Sequence, residues 1–147
     1  MLAPMELAVL RQVTEDLIPF NKFLGIRLVH LEHGRAELEI PWRDELIGDP
    51  LKPAIHGGVI SALADAAGGA AVWSALENPM HRVSTIDIRI DYLRPGRLEA
   101  IFAEATTARV GRSVGVADIR IFHASARGDT VATGKAVYSI RLPKVKP

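Results

Sequence analysis

The sequence predicts an α+β fold, an antiparallel sheet of six strands packed against one long central helix. Three observations carry that prediction. The segment Ala54 to Leu76, "AIHGGVISALADAAGGAAVWSAL", is long, apolar and rich in small residues; two strand-like runs precede it; and four strand-like runs follow it in succession. Consecutive strands joined by short turns imply an antiparallel meander and not a doubly wound parallel sheet. The 147 residues suit one core, with no linker or low-complexity tract, and divide into a helical segment at 1–22 and a main domain at 23–147.

Taken in order, Leu10, Val13 and Leu17 fall at i, i+3 and i+7, which predicts a short amphipathic helix from about residue 5 to Ile18, braked by Pro19. "FLGIRLVHL" from Phe23 is strand-like, and "EHG" is turn chemistry. "RAELEIPW" alternates Ala36, Leu38, Ile40 and Trp42 against Arg35, Glu37 and Glu39, a strand with one wet face. Residues 43–55 have two prolines, a glycine and no period, and read as a loop. After the central helix, "STIDIRIDYL" alternates Ile86, Ile88, Ile90 and Tyr92 with Thr85, Asp87, Arg89 and Asp91. Three further strands are predicted at about Leu98 to Val110, Ser113 to Ala124 and Thr130 to Leu142. The helix glycines Gly68 and Gly69 each cost about 1 kcal/mol relative to alanine, which close approach of the sheet can offset.

Composition excludes several classes of function. With 18 basic and 17 acidic residues the chain has no field that selects nucleic acid or an anionic membrane. The absence of cysteine removes disulfides, thiol nucleophiles and thiolate metal sites. The N-terminus lacks the basic leader of a signal peptide and no run is long enough to span a bilayer, so a cytoplasmic protein is expected. His30, His33, His81 and His123 have no metal-ligand spacing, and no phosphate-loop or nucleophile-elbow motif is present, so neither metal nor cofactor is expected.

The chemistry concentrates in the long helix. Its start, His56, Gly57 and Gly58, offers unpaired N–H groups that glycine lets a ligand oxygen approach. Asp65 is the one charge between His56 and Glu77. It is either a surface residue or a carboxylate kept for a purpose, and the absence of other charges on the segment favours the second. Asp65 lies about 12 Å along the axis from Gly57. One helix cannot bring the two together, whereas a symmetric dimer with antiparallel helices can.

"HGGVISALADAAGG" followed by "STIDIRIDYLRPG" resembles the hotdog-fold acyl-CoA thioesterases, in particular the phenylacetate-pathway-type branch of the 4-hydroxybenzoyl-CoA thioesterase superfamily, from about Leu24 to Leu142. The resemblance implies hydrolysis of an acyl-CoA by a homodimer or dimer of dimers. It implies that the Gly57 N–H polarises the thioester carbonyl, and that Asp65 of the opposing subunit acts as general base or nucleophile. A hydroxyl on the following strand assists in that family. Register counted back from Tyr92 puts it at Thr85, although simple alternation leaves Ser84, not Thr85, on the isoleucine face. Where the family carries an amide side chain six residues before the histidine, this chain has Pro50, which cannot donate; Asp49 beside it would repel an oxyanion. Arg94, Arg112 and Arg127 are candidates for the coenzyme phosphates, Arg112 first, since "ARVGRSV" with Ser113 stands where related enzymes touch the nucleotide. Two rivals are a hydratase or dehydratase of acyl thioesters, for which Asp49 and His56 have the wrong spacing, and a non-catalytic acyl-CoA binding protein.

Overall fold

The computed structural model describes residues 4–144. Its elements in chain order are α1 (Pro4–Gln12), a π-helical turn (Val13–Leu17), α2 (Pro19–Leu24), β1 (Arg27–Glu32), β2 (Arg35–Ile40), a 3₁₀ turn (Asp44–Leu46), α3 (Gly57–Ser74), β3 (Arg82–Tyr92), β4 (Ile101–Val110), β5 (Val114–Phe122) and β6 (Ala132–Arg141). Six antiparallel strands form one sheet in the order β1-β2-β4-β5-β6-β3. This corrects the four-strand meander. Only β4, β5 and β6 follow one another across the sheet, while β3 pairs with β6 at the far edge.

Helix α3 lies across the inner face, against β2, β4 and β5. Leu63, Ala64, Ala67, Ala71 and Val72 are fully buried there, facing Ala36, Leu38 and Ile40 of β2 and Ile101, Ala103 and Ala105 of β4. Burying a side chain such as Leu63 contributes about 1.5–3 kcal/mol. The chain tightens wherever the helix touches the sheet: a Cβ on Gly115 would stand 2.5 Å from Val72. Among the described residues no helix is long and apolar enough to cross a membrane.

Several local expectations change. The first helix does not run evenly to Ile18: the π-helical turn rotates the chain, so Thr14 is buried and Leu17 is exposed. Pro19 opens α2 instead of only ending α1, and Phe23 and Leu24 belong to that helix, so β1 starts at Arg27. The outer face of β2 is not wholly wet, because Glu37 is 7 % exposed beneath Arg127.

The two sheet edges differ. At β1, Arg11 donates to the Leu28 carbonyl at 2.6 Å and Glu15 accepts the Leu28 N–H at 2.8 Å, so the N-terminal helix covers the edge. At β3, eleven residues long, most of the strand is exposed, Ile86 and Tyr92 included. A long bare edge is a template for another strand.

Candidate active site

The Gly57 end of α3 is built by His56, which stands at the N-cap with φ −59° and ψ 132°, and whose Nδ1 accepts the Gly58 N–H at 2.8 Å. That bond consumes one of the two glycine donors expected at the site. The Gly57 N–H has no acceptor among the described residues and remains available at the positive end of an 18-residue helix. Tyr92, from the end of β3, donates to the Gly57 carbonyl at 3.0 Å and also meets the Ser61 hydroxyl. Its ring would lie 3.4 Å from a Cβ at position 57, so glycine leaves the approach open.

Beside this helix start is an open cavity of about 420 Å³ lined by Ile55, Gly57, Ile60, Tyr92, Leu93 and Arg94, among others. Its rim is held by His123, 2 % exposed, whose Nε2 accepts the Arg97 N–H at 2.9 Å and whose Nδ1 donates to the Ala100 carbonyl at 2.9 Å. Those two bonds fix the neutral tautomer with the proton on Nδ1.

The second half of the site is midway along α3. Asp65 is half-buried, and Thr85 Oγ1 donates to its Oδ1 at 2.7 Å. Simple alternation would turn Thr85 away. The ladder between β3 and β6 pairs Thr85 with Tyr138 and Asp87 with Val137, leaving Ile86 as an extra residue. This β-bulge changes the parity of the strand, so Thr85 shares the helix-facing side with Ile88 and Ile90 while Ile86 points out. Thr85, and not Ser84, therefore meets Asp65. Tyr138, unmarked in the sequence reading, donates to the Asp65 main-chain carbonyl at 2.8 Å. Burial first, then the Asp65 charge, pushes the phenol above its ordinary range.

The remaining candidates separate. Asp49 accepts the Leu51 and Lys52 N–H groups at 2.9 and 3.2 Å, closing its own loop. Arg127 is engaged by Glu37 through two bonds, 2.8 and 3.2 Å, which hold its guanidinium more firmly protonated, and it stacks on Phe122 on the outer face of the sheet. Arg94 lies at the Gly57 cavity and faces Asp129 at 3.7 Å. Arg112 and Ser113 occupy the β4–β5 turn at the opposite end of the sheet, where the Ser113 carbonyl accepts the Ile140 N–H at 2.8 Å. The turn therefore sits next to Arg141, which is the register partner of Arg82. Among the described residues Arg82, Arg112 and Arg141 carry no ion pair, and neither does Arg109 at the end of β4, so unpaired cations collect at this end of the sheet. Arg82 and Arg141 escaped sequence reasoning because nothing local shows that their strands are neighbours.

Six antiparallel strands wrapped around one long helix form a known architecture. The thioesterase superfamily profile matches residues 53–129. The medium/long-chain acyl-CoA thioesterase YigI of Escherichia coli is 37% identical over 116 residues, 71% of this chain and 75% of that one. The chain belongs to the thioesterase superfamily. It has the hotdog fold and is a thioester hydrolase. A structure from Shewanella oneidensis related to the same superfamily superposes with a TM-score of 0.83 at 26% identity, covering 95% of this chain and 100% of that one. A thioesterase of Haemophilus influenzae superposes at 0.78, also at 26% identity, covering 90% and 88%.

Proposed function

We propose that this protein hydrolyses a medium- to long-chain acyl-CoA to the free acid and coenzyme A, at a site shared between two protomers. The observation that carries the reading is the pairing of a carboxylate already engaged by Thr85 with a helix-start N–H that nothing in its own chain uses. The acyl range follows the Escherichia coli relative, and the apolar residues Ile55, Ile60 and Leu93 of the cavity suit an alkyl chain. An aryl substrate, which the phenylacetate-type resemblance implies, is the contrasting outcome.

In this scheme the Gly57 N–H of one protomer holds the thioester oxygen. Asp65 of the other takes a proton from water through Oδ2, since Thr85 occupies Oδ1. The hydroxide adds to the carbonyl carbon, and collapse of the tetrahedral adduct expels the thiolate, which recovers a proton from Asp65 or solvent. A thiolate leaves readily, so one base and one oxyanion donor suffice. The bare β3 edge supports pairing with a second copy, which would run the two α3 helices antiparallel. The cationic corner of Arg112, Arg82 and Arg141 supports binding of the coenzyme phosphates.

The test is thiol release from a panel of short, medium, long and aryl CoA thioesters, by the wild type and by Asp65→Asn. Medium or long chains should turn over fastest, and the variant should keep the fold while kcat falls by about 10² or more. Near wild-type turnover by Asp65→Asn would mean the aspartate is structural. Tight acyl-CoA binding without thiol release by the wild type would make the protein a carrier or sensor.

A further inference from the structure

Gly68 sits in mid-helix, where alanine would be more favourable by about 1 kcal/mol. The reason it is there lies on β6. The Tyr138 ring is 2 % exposed and presses into α3, so a Cβ on Gly68 would stand 2.2 Å from the phenol oxygen and 3.0 Å from Cζ. Gly69 is looser, with 3.6 Å to Cε1. A phenylalanine would fill this slot with no polar atom to satisfy. The hydroxyl therefore calls for its own explanation, and its bond to the Asp65 carbonyl provides one.

Across the ladder, the register partner of Tyr138 is Thr85, whose hydroxyl bonds the Asp65 carboxylate. One cross-strand pair thus grips Asp65 twice, by main chain and by side chain. We infer that Tyr138 is a positioning residue for thioester hydrolysis, fixing through the Asp65 carbonyl the depth and rotation of the helical turn that offers the carboxylate to Thr85 and to water. The phenol remains a donor because burial and the neighbouring carboxylate both disfavour phenolate. The inference rests on the proposed role of Asp65. Small displacements at such a site matter, since a 1 Å misplacement can cost about 10² in rate.

The test is Tyr138→Phe, which keeps the ring and the packing. Its kcat should fall by about 10-fold, with KM within about twofold of wild type, as expected for loss of an interaction that matters in the transition state. Lost stability alone could lower kcat too, so a second readout separates the cases. Thiol release is measured with and without added hydroxylamine, after subtraction of the uncatalysed reaction. Hydroxylamine attacks without a general base, so it should restore a larger fraction of the rate in Tyr138→Phe than in the wild type. A partly unfolded enzyme loses both reactions in proportion and keeps the wild-type ratio. Wild-type kcat, or a lowered kcat with an unchanged ratio, overturns the inference. If Asp65→Asn is inactive while Tyr138→Phe is normal, only the positioning role falls; if Asp65→Asn is active, the proposed mechanism itself falls.

Discussion

The first turn of α3 and the turn around Asp65 are made of similarly small residues, yet their hydrogen bonding is opposite. At the first turn His56 takes the Gly58 N–H and Tyr92 takes the Gly57 carbonyl, and the Gly57 N–H between them is left bare. At Asp65 two hydroxyls hold both the carbonyl and one carboxylate oxygen. One turn presents a naked donor and the other a braced acceptor. In each case the neighbours of the atom proposed to react are tied down, while the atom that would meet substrate is not. Such preorganisation costs no rearrangement during reaction.

The largest expected effect comes from removing the bare donor. Gly57→Pro deletes that N–H, proline is tolerated at the first helical position, and the extended ψ of His56 suits a following proline. The variant should melt near the wild-type temperature but lose about 10²–10³ in kcat, the usual cost of one oxyanion donor. Normal turnover would show that the donor is idle. Next, chains carrying Gly57→Pro and chains carrying Asp65→Asn should complement when unfolded together and refolded. About a quarter of wild-type activity is expected, because half of the dimers are mixed and each mixed dimer holds one intact site. If both halves serve one chain, the mixture stays inactive.

Smaller effects separate the braces from the chemistry. Arg112→Ala should raise KM for acyl-CoA by about 3–10-fold with little change in kcat, since phosphate contacts are equal in ground and transition states. The same acyl group on a thiol lacking the nucleotide should not respond to the change. His56→Ala loses a helix cap, and should cost about 1 kcal/mol and a few degrees of Tm with kcat within a few-fold. A large loss of kcat at unchanged Tm would move His56 from the cap into the reaction.

Local signals carried the fold class and the long helix, because small-residue runs and alternation are written along the chain. The 12 Å separation of Gly57 and Asp65 was equally legible, being simple helix geometry. Pairing was not: alternation marks β3 as a strand but says nothing of its passage to the edge beside β6. Arg127 looked like a free turn cation because its partner, Glu37, is distant in sequence. Tyr138 was hidden for the same reason, although two adjacent glycines in mid-helix hinted that something large lay against them.

Ile86 shows how a residue can matter through its place in a count. Its side chain is 59 % exposed, and within the protomer many residues could stand in its position. Yet it is the odd residue of the strand, and Thr85 faces inward because the bulge absorbs it. Deleting it would set Thr85 directly before Asp87, keep the pairing of Thr85 with Tyr138 and leave the hydroxyl beside Asp65, whereas flattening the bulge with Ile86 still in place would swing the hydroxyl out into solvent. The hydroxyl's place beside the aspartate is thus decided by how the strand takes up its extra residue, and a one-residue slip of β3 along β6 would remove it with no change to the threonine itself.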